Sequence, residues 1–336
     1  MVGMRDVARE AGVHQSTVSR VLNGSDLVNM RTARRVRAIA ERLEFVPNTI
    51  GRALRTRVAR TLAVHAALVP GQAADPFFTF FLKGLGTAAA DHGYAILLHY
   101  TEGQRGGGDT DLASPVRSGH ADGVVVLSPR LNDPRIRRLV EEQIPCVLGR
   151  FDGPMGSRAA CVDIDNEATG RRAAQFCLAR GHRRIGLIAE PADWETGIHV
   201  TTGFRAVLRG AGCDSARLIR RGPLTFNAAR AAALGLLGQR PAPTAIVTTT
   251  PLLVFGALEA VRQSGRPVMV LGVDSPLLTC LHPAAPRIVA PVEELGRAMA
   301  SALIALLRSG TPPPPTMLQT HIIDERGKIF KEGATL

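Results

Sequence analysis

The residues of this 336-residue chain best suited to do chemistry are short and polar rather than reactive. In the stretch "REAGVHQSTVSRVLNG", residues 9–24, Gln15, Ser16, Ser19, Arg20 and Asn23 alternate with Val18, Val21 and Leu22, which fall at i, i+3, i+4. A helix that only covered a core would carry Lys and Glu on its outer face, because both are good helix formers and keep a surface soluble. Small amide and hydroxyl groups beside one guanidinium suit hydrogen bonding to a partner's edge without steric bulk. In a DNA major groove Gln pairs with adenine N6 and N7, Ser meets either kind of base, and Arg forks onto guanine or a phosphate.

The elements that must hold these groups are helices. The pattern predicts a short helix over 5–11, a sharp turn at Gly12 and a second helix over 15–22 with its valines inward. A third helix is marked by Asn29 as cap and by Val36, Ile39 and Leu43 as its apolar stripe. Two helices joined by a tight turn, with a third behind, form the helix-turn-helix plan, whose second helix enters the major groove by its N-terminal end. Charge agrees with that plan. The chain carries a net +12, and its first sixty residues hold twelve Arg, no Lys and five acids, a local excess of +7. A polyanionic partner follows, although an Arg-rich composition or an ordinary three-helix packing unit remains the plainer alternative. Aromatic residues make up only 4% of the chain, which excludes a base-stacking surface for single strands.

From Thr61 onward apolar strand-like runs ("TLAVHAALV", "YAILLHY", "GVVVLS", "CVLG", "RIGLIA", "TAIVTT", "VMVLGVD") alternate with helical stretches near 78–92, 166–180, 200–210, 227–238 and 252–264. Such alternation predicts parallel α/β sheets, and the length predicts two of them, with a ligand cleft at the carboxyl ends of the strands. Late segments near 288–307 and 318–323 are expected to cross back between the lobes, with the Pro run at 312–315 as a stiff crossover. The five cysteines are scattered without a C-x-x-C spacing, so neither a disulfide framework nor a zinc site is expected. The absence of a basic-then-apolar leader and of a long apolar run predicts a soluble cytoplasmic chain with no membrane partner. "GQRGGGD", after the run "YAILLHY", is the one candidate phosphate cradle. Its spacing is not G-x-G-x-x-G and no helical pattern opens from it, nor is there a G-x-S-x-G elbow, so the reading is a non-enzyme without cofactor or metal.

The string "MRDVAREAGVHQSTVSRVLNG", followed by "FVPNTIGRALR", resembles the DNA-binding head of the LacI/GalR family of bacterial transcription regulators. The resemblance continues through "DPFF", "ADGVVVLSP", "VDIDNEATGRRAAQFCLARGHRRIGLI" and "LGVDS". It implies a three-helix helix-turn-helix head at 1–46, a hinge helix or linker at 47–58, and a periplasmic-binding-protein-like core of two doubly wound parallel-sheet lobes at 59–336. Lobe one is expected at about 59–158 plus 290–318, and lobe two at about 159–289 plus 319–336. The implied function is that of a homodimeric repressor on an approximately palindromic double-stranded DNA operator, governed by a small effector, sugar-like or another metabolite. The implied DNA contacts are Gln15, Ser16, Thr17, Arg20, Asn23, Asn48, Leu54 and Arg55, with Leu54 as a wedge in a minor-groove step. His14 stands where the family usually has Ser, and a neutral imidazole still accepts a backbone N–H. Gly51 stands where Ala is usual, and Gly in mid-helix costs about 1 kcal/mol relative to Ala, so hinge ordering leans on DNA and on the partner subunit. A flexible basic linker is the other reading of that segment.

For the effector, the resemblance points to Phe77 and Phe78 as apolar walls, Trp194 as a stacking surface and Asp274 as acceptor of ligand hydroxyls. Other usual gripping groups are replaced: Val200 with adjacent His199 in place of an Arg, Thr250-Pro251 in place of Asn-Asp, and Pro223-Leu224 in place of an acidic-aromatic pair. Arg150 falls roughly where an acid often stands. A free hexose therefore fits less well than an apolar ligand or an anion held by Arg150 and His199. The competing reading pairs Asp274 and Arg150 with each other or with neighbours as structural ions. Two further functional readings stay open, a regulator that has lost effector response and a small-molecule binding protein that does not bind DNA. The first sixty residues speak against the latter. No heptad helix follows the last expected strand, so a dimer is expected.

Overall fold

The computed structural model describes residues 2–22, 27–45, 58–66, 76–100, 111–127, 129–150, 157–213 and 216–330. Asn23, Asn48, Gly51, Leu54, Arg55 and the "GQRGGGD" stretch lie outside the described residues. The chain divides into a head, Met1–Ala59, and a core, Arg60–Leu336.

In the head, helix α1 (Met4–Ala11) opens with the Asp6 carboxylate accepting the backbone N–H of Gly3 at 2.9 Å. Gly12 ends it at φ +61, a left-handed value that costs a residue with a Cβ more than it costs glycine. Helix α2 (Gln15–Leu22) follows at once, and α3 (Met30–Arg42) starts at Asn29, whose side chain accepts the N–H of Arg31 at 2.8 Å. Val7, Ala11, Val18, Val21 and Val36 close a small core between the three helices. That core pins α2 by one face and leaves the other outside. An ion pair between Arg42 and Glu10 ties α3 to α1 at the surface.

The core holds two six-stranded sheets. The first uses β1 (Thr61–Ala66), β2 (Ala95–Tyr100), β3 (Gly123–Val126), β4 (Cys146–Leu148), β5 (Ala159–Ile164) and β11 (Thr316–Leu318), in the order β2-β1-β3-β4-β5-β11, all parallel. Helix α4 (Pro76–Asp91) covers one face; α5 (Ser114–Arg117) and α6 (Pro134–Glu141) lie on the other. The second sheet uses β6 (Ile185–Ala189), β7 (Ile219–Arg221), β8 (Ala245–Thr248), β9 (Met269–Val273), β10 (Arg287–Val289) and β12 (His321–Ile323), in the order β7-β6-β8-β9-β10-β12, parallel except for the β10–β12 pair. Helices α7 (Asn166–Ala179) and α8 (Glu195–Gly210) cover one face, α9 (Phe226–Leu237) and α10 (Pro251–Ser264) the other, and the short α11 (Pro276–Leu281) follows β9. Strands β3, β4, β6 and β8 are buried along their whole length, which is why they read as unbroken apolar runs.

Each sheet reverses its winding between its first and third strands, β1/β3 and β6/β8, and in such sheets a crevice opens there at the carboxyl ends. The lobe boundary differs from the expected 158/159. Strand β5 pairs with β4 in register Cys146↔Ala159, so the first lobe runs on to Ile164. The segment 292–309, expected only as a return piece, is helix α12 (Val292–Ser309), which packs on the first sheet beside α4. Helices α7 and α8 touch through glycines: a Cβ built on Gly203 would lie 1.9 Å from the Glu167 carbonyl oxygen, and one on Gly170 2.0 Å from that of Val200. No helix among the described residues is long and apolar enough to cross a membrane.

Candidate functional site

In the head, the core contacts of Val18 and Val21 turn Gln15, Ser16 and Arg20 fully outward, with Thr17 half-buried. His14 precedes α2 and does the work of a cap: its Nδ1 lies 3.3 Å from the backbone N of Ser16 and 2.9 Å from the Ser16 hydroxyl. An Nε2-protonated neutral imidazole accepts from both, so Ser16 presents its oxygen lone pairs outward more readily than its proton. Arg31, Arg34, Arg35 and Arg37 are exposed on α3, so the head presents short hydrogen-bonding groups on α2 and positive charge on α3.

In the core, a cleft with about 880 Å³ of empty space, part of it open to solvent, lies where the carboxyl ends of the two sheets meet. Only about 100 Å³ of it is open to the centre of a water-sized sphere, so the cleft is narrow as it stands. Its walls come from both lobes. Phe77 in the first turn of α4, Leu127 beyond β3 and Asp163 on β5 belong to the first; Glu190 beyond β6, Trp194 before α8, Thr248 at the end of β8 and Thr249 and Thr250 beyond it belong to the second. A short bridge spans the lobes at its edge: Leu131 donates its N–H to the Asp193 carbonyl at 2.8 Å, Arg130 reaches the Asp193 carboxylate at 3.4 Å, and its guanidinium lies 5.7 Å from the centre of the Trp194 ring. The Arg130 contacts hold the indole against the cleft.

Two buried carboxyls define the electrostatics. Asp163 accepts the backbone N–H groups of Ile164 at 2.7 Å and Arg150 at 2.9 Å, and burial pushes its carboxyl up to about 6. Glu190 accepts the Thr249 hydroxyl at 2.6 Å, and burial raises its carboxyl as well. Removing a carboxylate from water disfavours its charged form, which is the cause of both shifts. The Thr248 hydroxyl is buried without a hydrogen-bond partner among the described residues.

Of the residues expected to hold an effector, Phe77 and Trp194 line this cleft. Phe78 instead stacks on Phe81, ring centres 6.4 Å apart, and packs against the first lobe's core. Arg150 does not line the cleft; it offers Asp163 its backbone N–H while its guanidinium lies 3.9 Å from Glu167. His199 is buried inside α8, 3.4 Å from Glu195 one turn earlier. Asp274 faces a separate groove beside Phe80 and Cys280, accepts the Thr279 hydroxyl at 2.9 Å and lies 3.5 Å from Arg287. The pair of cations expected to grip an anion is therefore replaced, along the cleft wall, by a pair of acids. Sequence reasoning missed Asp163 and Glu190. The available signal was an acid at or just past the carboxyl end of an apolar run, in "CVDI" and "IGLIAE".

The sequence pattern described as bacterial regulatory proteins, lacI family, matches residues 3–48, and that described as periplasmic binding proteins and sugar binding domain of LacI family matches residues 63–310. The HTH-type transcriptional regulator CelR of Thermobifida fusca is 34% identical over 326 residues, 94% of this chain and 95% of that protein. The HTH-type transcriptional repressor CytR of Escherichia coli strain K12 is 30% identical over 317 residues, 90% and 88% of the two chains. A solved structure titled transcriptional regulator CelR-cellobiose complex superposes with a TM-score of 0.73 at 32% identity, covering 98% of this chain and all of that one.

Proposed function

The chain belongs to the LacI family of bacterial regulatory proteins, a family of DNA-binding transcription regulators rather than enzymes, and we propose that it is a homodimeric repressor whose hold on an operator is set by a small molecule in the interlobe cleft. One observation carries the reading: an outward helix bearing Gln15, Ser16 and Arg20 shares a chain with a two-lobed core whose cleft is walled from both lobes. Gln15 and Ser16 read base edges, Arg20 adds a base or phosphate contact, and Thr17 supports them. Asn23 and Asn48 add further DNA contacts, and Leu54 with Arg55 reaches the minor groove, as in the family. Two-fold symmetry of a dimer is mirrored in an inverted-repeat site. A protein that reads operator DNA works in the cytoplasm.

Phe77 and Trp194 are the effector contacts retained from the sequence reading; Asp163, Glu190 and Thr248 join them. Phe78, Arg150, His199 and Asp274 act one layer back or at the separate groove. The relative solved with cellobiose makes a sugar one candidate class for the cleft. The test is a selection of random double-stranded DNA by the purified protein at moderate salt, with sequencing of the retained pool. Enrichment of an inverted repeat is expected; a pool with no enriched sequence, with or without candidate metabolites, sinks the reading.

A further inference from the structure

The described residues of the cleft wall include acids and no bases: Asp163 and Glu190 are among them, but no Lys, Arg or His. The two carboxyls come from opposite lobes, Asp163 from the last of the first lobe's consecutive strands and Glu190 from the turn after β6, and they are 9% and 2% exposed. The nearby cations lie behind the wall rather than on it, and the charges of Arg150 and Arg221 act on Asp163 and Glu190 from there. Arg221 donates to the carbonyls of Glu190 and Gly197 and to the Thr201 hydroxyl, Arg287 faces Asp274, and Arg130 faces Asp193 across the Trp194 ring.

Three helices begin at the cleft, and their amino ends are served by the chain itself. Asp165 caps α7, Thr250 caps α10, and α8 carries buried Glu195 in its first turn. An anionic ligand would thus meet capped amino ends on α7 and α10, an acid in the first turn of α8, and two buried carboxyls facing it. A neutral polyol would donate hydrogen bonds but add no charge, leaving the two acids balanced only by the arginines behind the wall. A positive group would answer both.

Resting on the reading of the cleft as the effector site, we propose that the effector is a small organic amine, bound as its ammonium form between Asp163 of one lobe and Glu190 of the other, and that this bridge holds the lobes together. The rest of the wall shapes the remainder of such a molecule. Phe77, Trp194, Val200, Leu224 and Ile288 suit an apolar or ring body, and Thr248 keeps a hydroxyl free for one further polar atom. A ligand that contacts only one lobe shifts nothing between open and closed arrangements, whereas one held by an acid from each lobe binds the closed arrangement preferentially. The raised carboxyls fit this account, because an ammonium beside them favours their charged forms.

The test uses matched pairs that differ only in amine for hydroxyl: D-glucosamine and D-glucose, tyramine and tyrosol, putrescine and butanediol. Each is titrated into the full-length protein at about pH 7.5 and followed by Trp194 fluorescence. The chain has one Trp and it lines the cleft, so the signal reports this site. In at least one pair the amine is expected to bind at least about tenfold more tightly than its twin, and Glu190→Gln to erase most of that preference. Asp163→Asn gives a second, independent reading from the other lobe. A twin that binds as well as its amine, amines that bind in no pair, or a preference that survives Glu190→Gln overturns the proposal. Operator retention by the ligand-free protein is measured on the same preparation, so a failure of the regulator reading is seen separately from a failure of the amine assignment.

Discussion

Thr248 and Thr249 are neighbours at the end of one strand, and the structure assigns the same substitution opposite signs at the two positions. Thr248 is fully buried and its hydroxyl has no partner among the described residues. Leaving a buried hydroxyl unpaired costs about 1–3 kcal/mol, and a methyl in its place gains roughly 0.5–1 kcal/mol from apolar burial. Thr248→Val preserves both shape and β-branching, so the ligand-free protein is expected to gain at least about 1.5 kcal/mol. For a unit of this size that is a rise of at least about 3 °C in melting temperature. Thr249 donates to the buried Glu190 carboxyl at 2.6 Å. Thr249→Val strips that bond and is expected to cost about 2 kcal/mol, a fall of about 5 °C. Thermal unfolding followed by fluorescence of the single Trp, Trp194, reads both variants from inside the cleft. A lower melting temperature for Thr248→Val would mean that its hydroxyl is satisfied in the free protein, and the case for an open polar position in the cleft would fall with it.

Gln15→Ala is expected to cost about 1–3 kcal/mol on the preferred base pair of each half-site and little on others, read by repeating the DNA selection with the variant; an unchanged consensus would show that α2 is not the reading helix. Gly203→Ala puts a Cβ 1.9 Å from the Glu167 carbonyl oxygen, so α7 and α8 must part, at a cost of about 1–3 kcal/mol in urea unfolding. Wild-type stability in that variant would refute so close an approach. Asp163 titrates near 3.9 in an unfolded chain and near 6 in the native one, so the native state holds the extra proton between those values. Its contribution to stability therefore falls as pH rises from about 4 to about 6 and is level above that, by at most about 3 kcal/mol. The difference in urea midpoint between wild type and Asp163→Asn should drift through that window; a constant difference would deny the raised carboxyl.

Much of this protein was legible from local order alone. In the head, Val18 and Val21 at helical spacing decide which side of α2 is buried, and that decides that Gln15, Ser16 and Arg20 face out. Asn29 as cap and Gly12 as turn are local choices of the same kind, made within one or two residues of the atoms they satisfy. The alternation of apolar strands and helices fixes the α/β class of the core because each strand's burial on both faces is written as an unbroken apolar run. What lay beyond local order was every property that depends on residues far apart in the chain. Strand β5 escaped notice because Asp163 interrupts its apolar pattern, and that acid is held there by the N–H of Arg150, thirteen positions earlier, by its neighbour's and by the Asn166 amide. Asp274 and Arg150 looked like ligand groups by their place in the sequence, yet Arg287 and Glu167 are their neighbours in space. The charge that a ligand meets in the cleft is set by which side chains survive this pairing, and pairing is a matter of distance in space, which periodicity along one strand or helix does not encode.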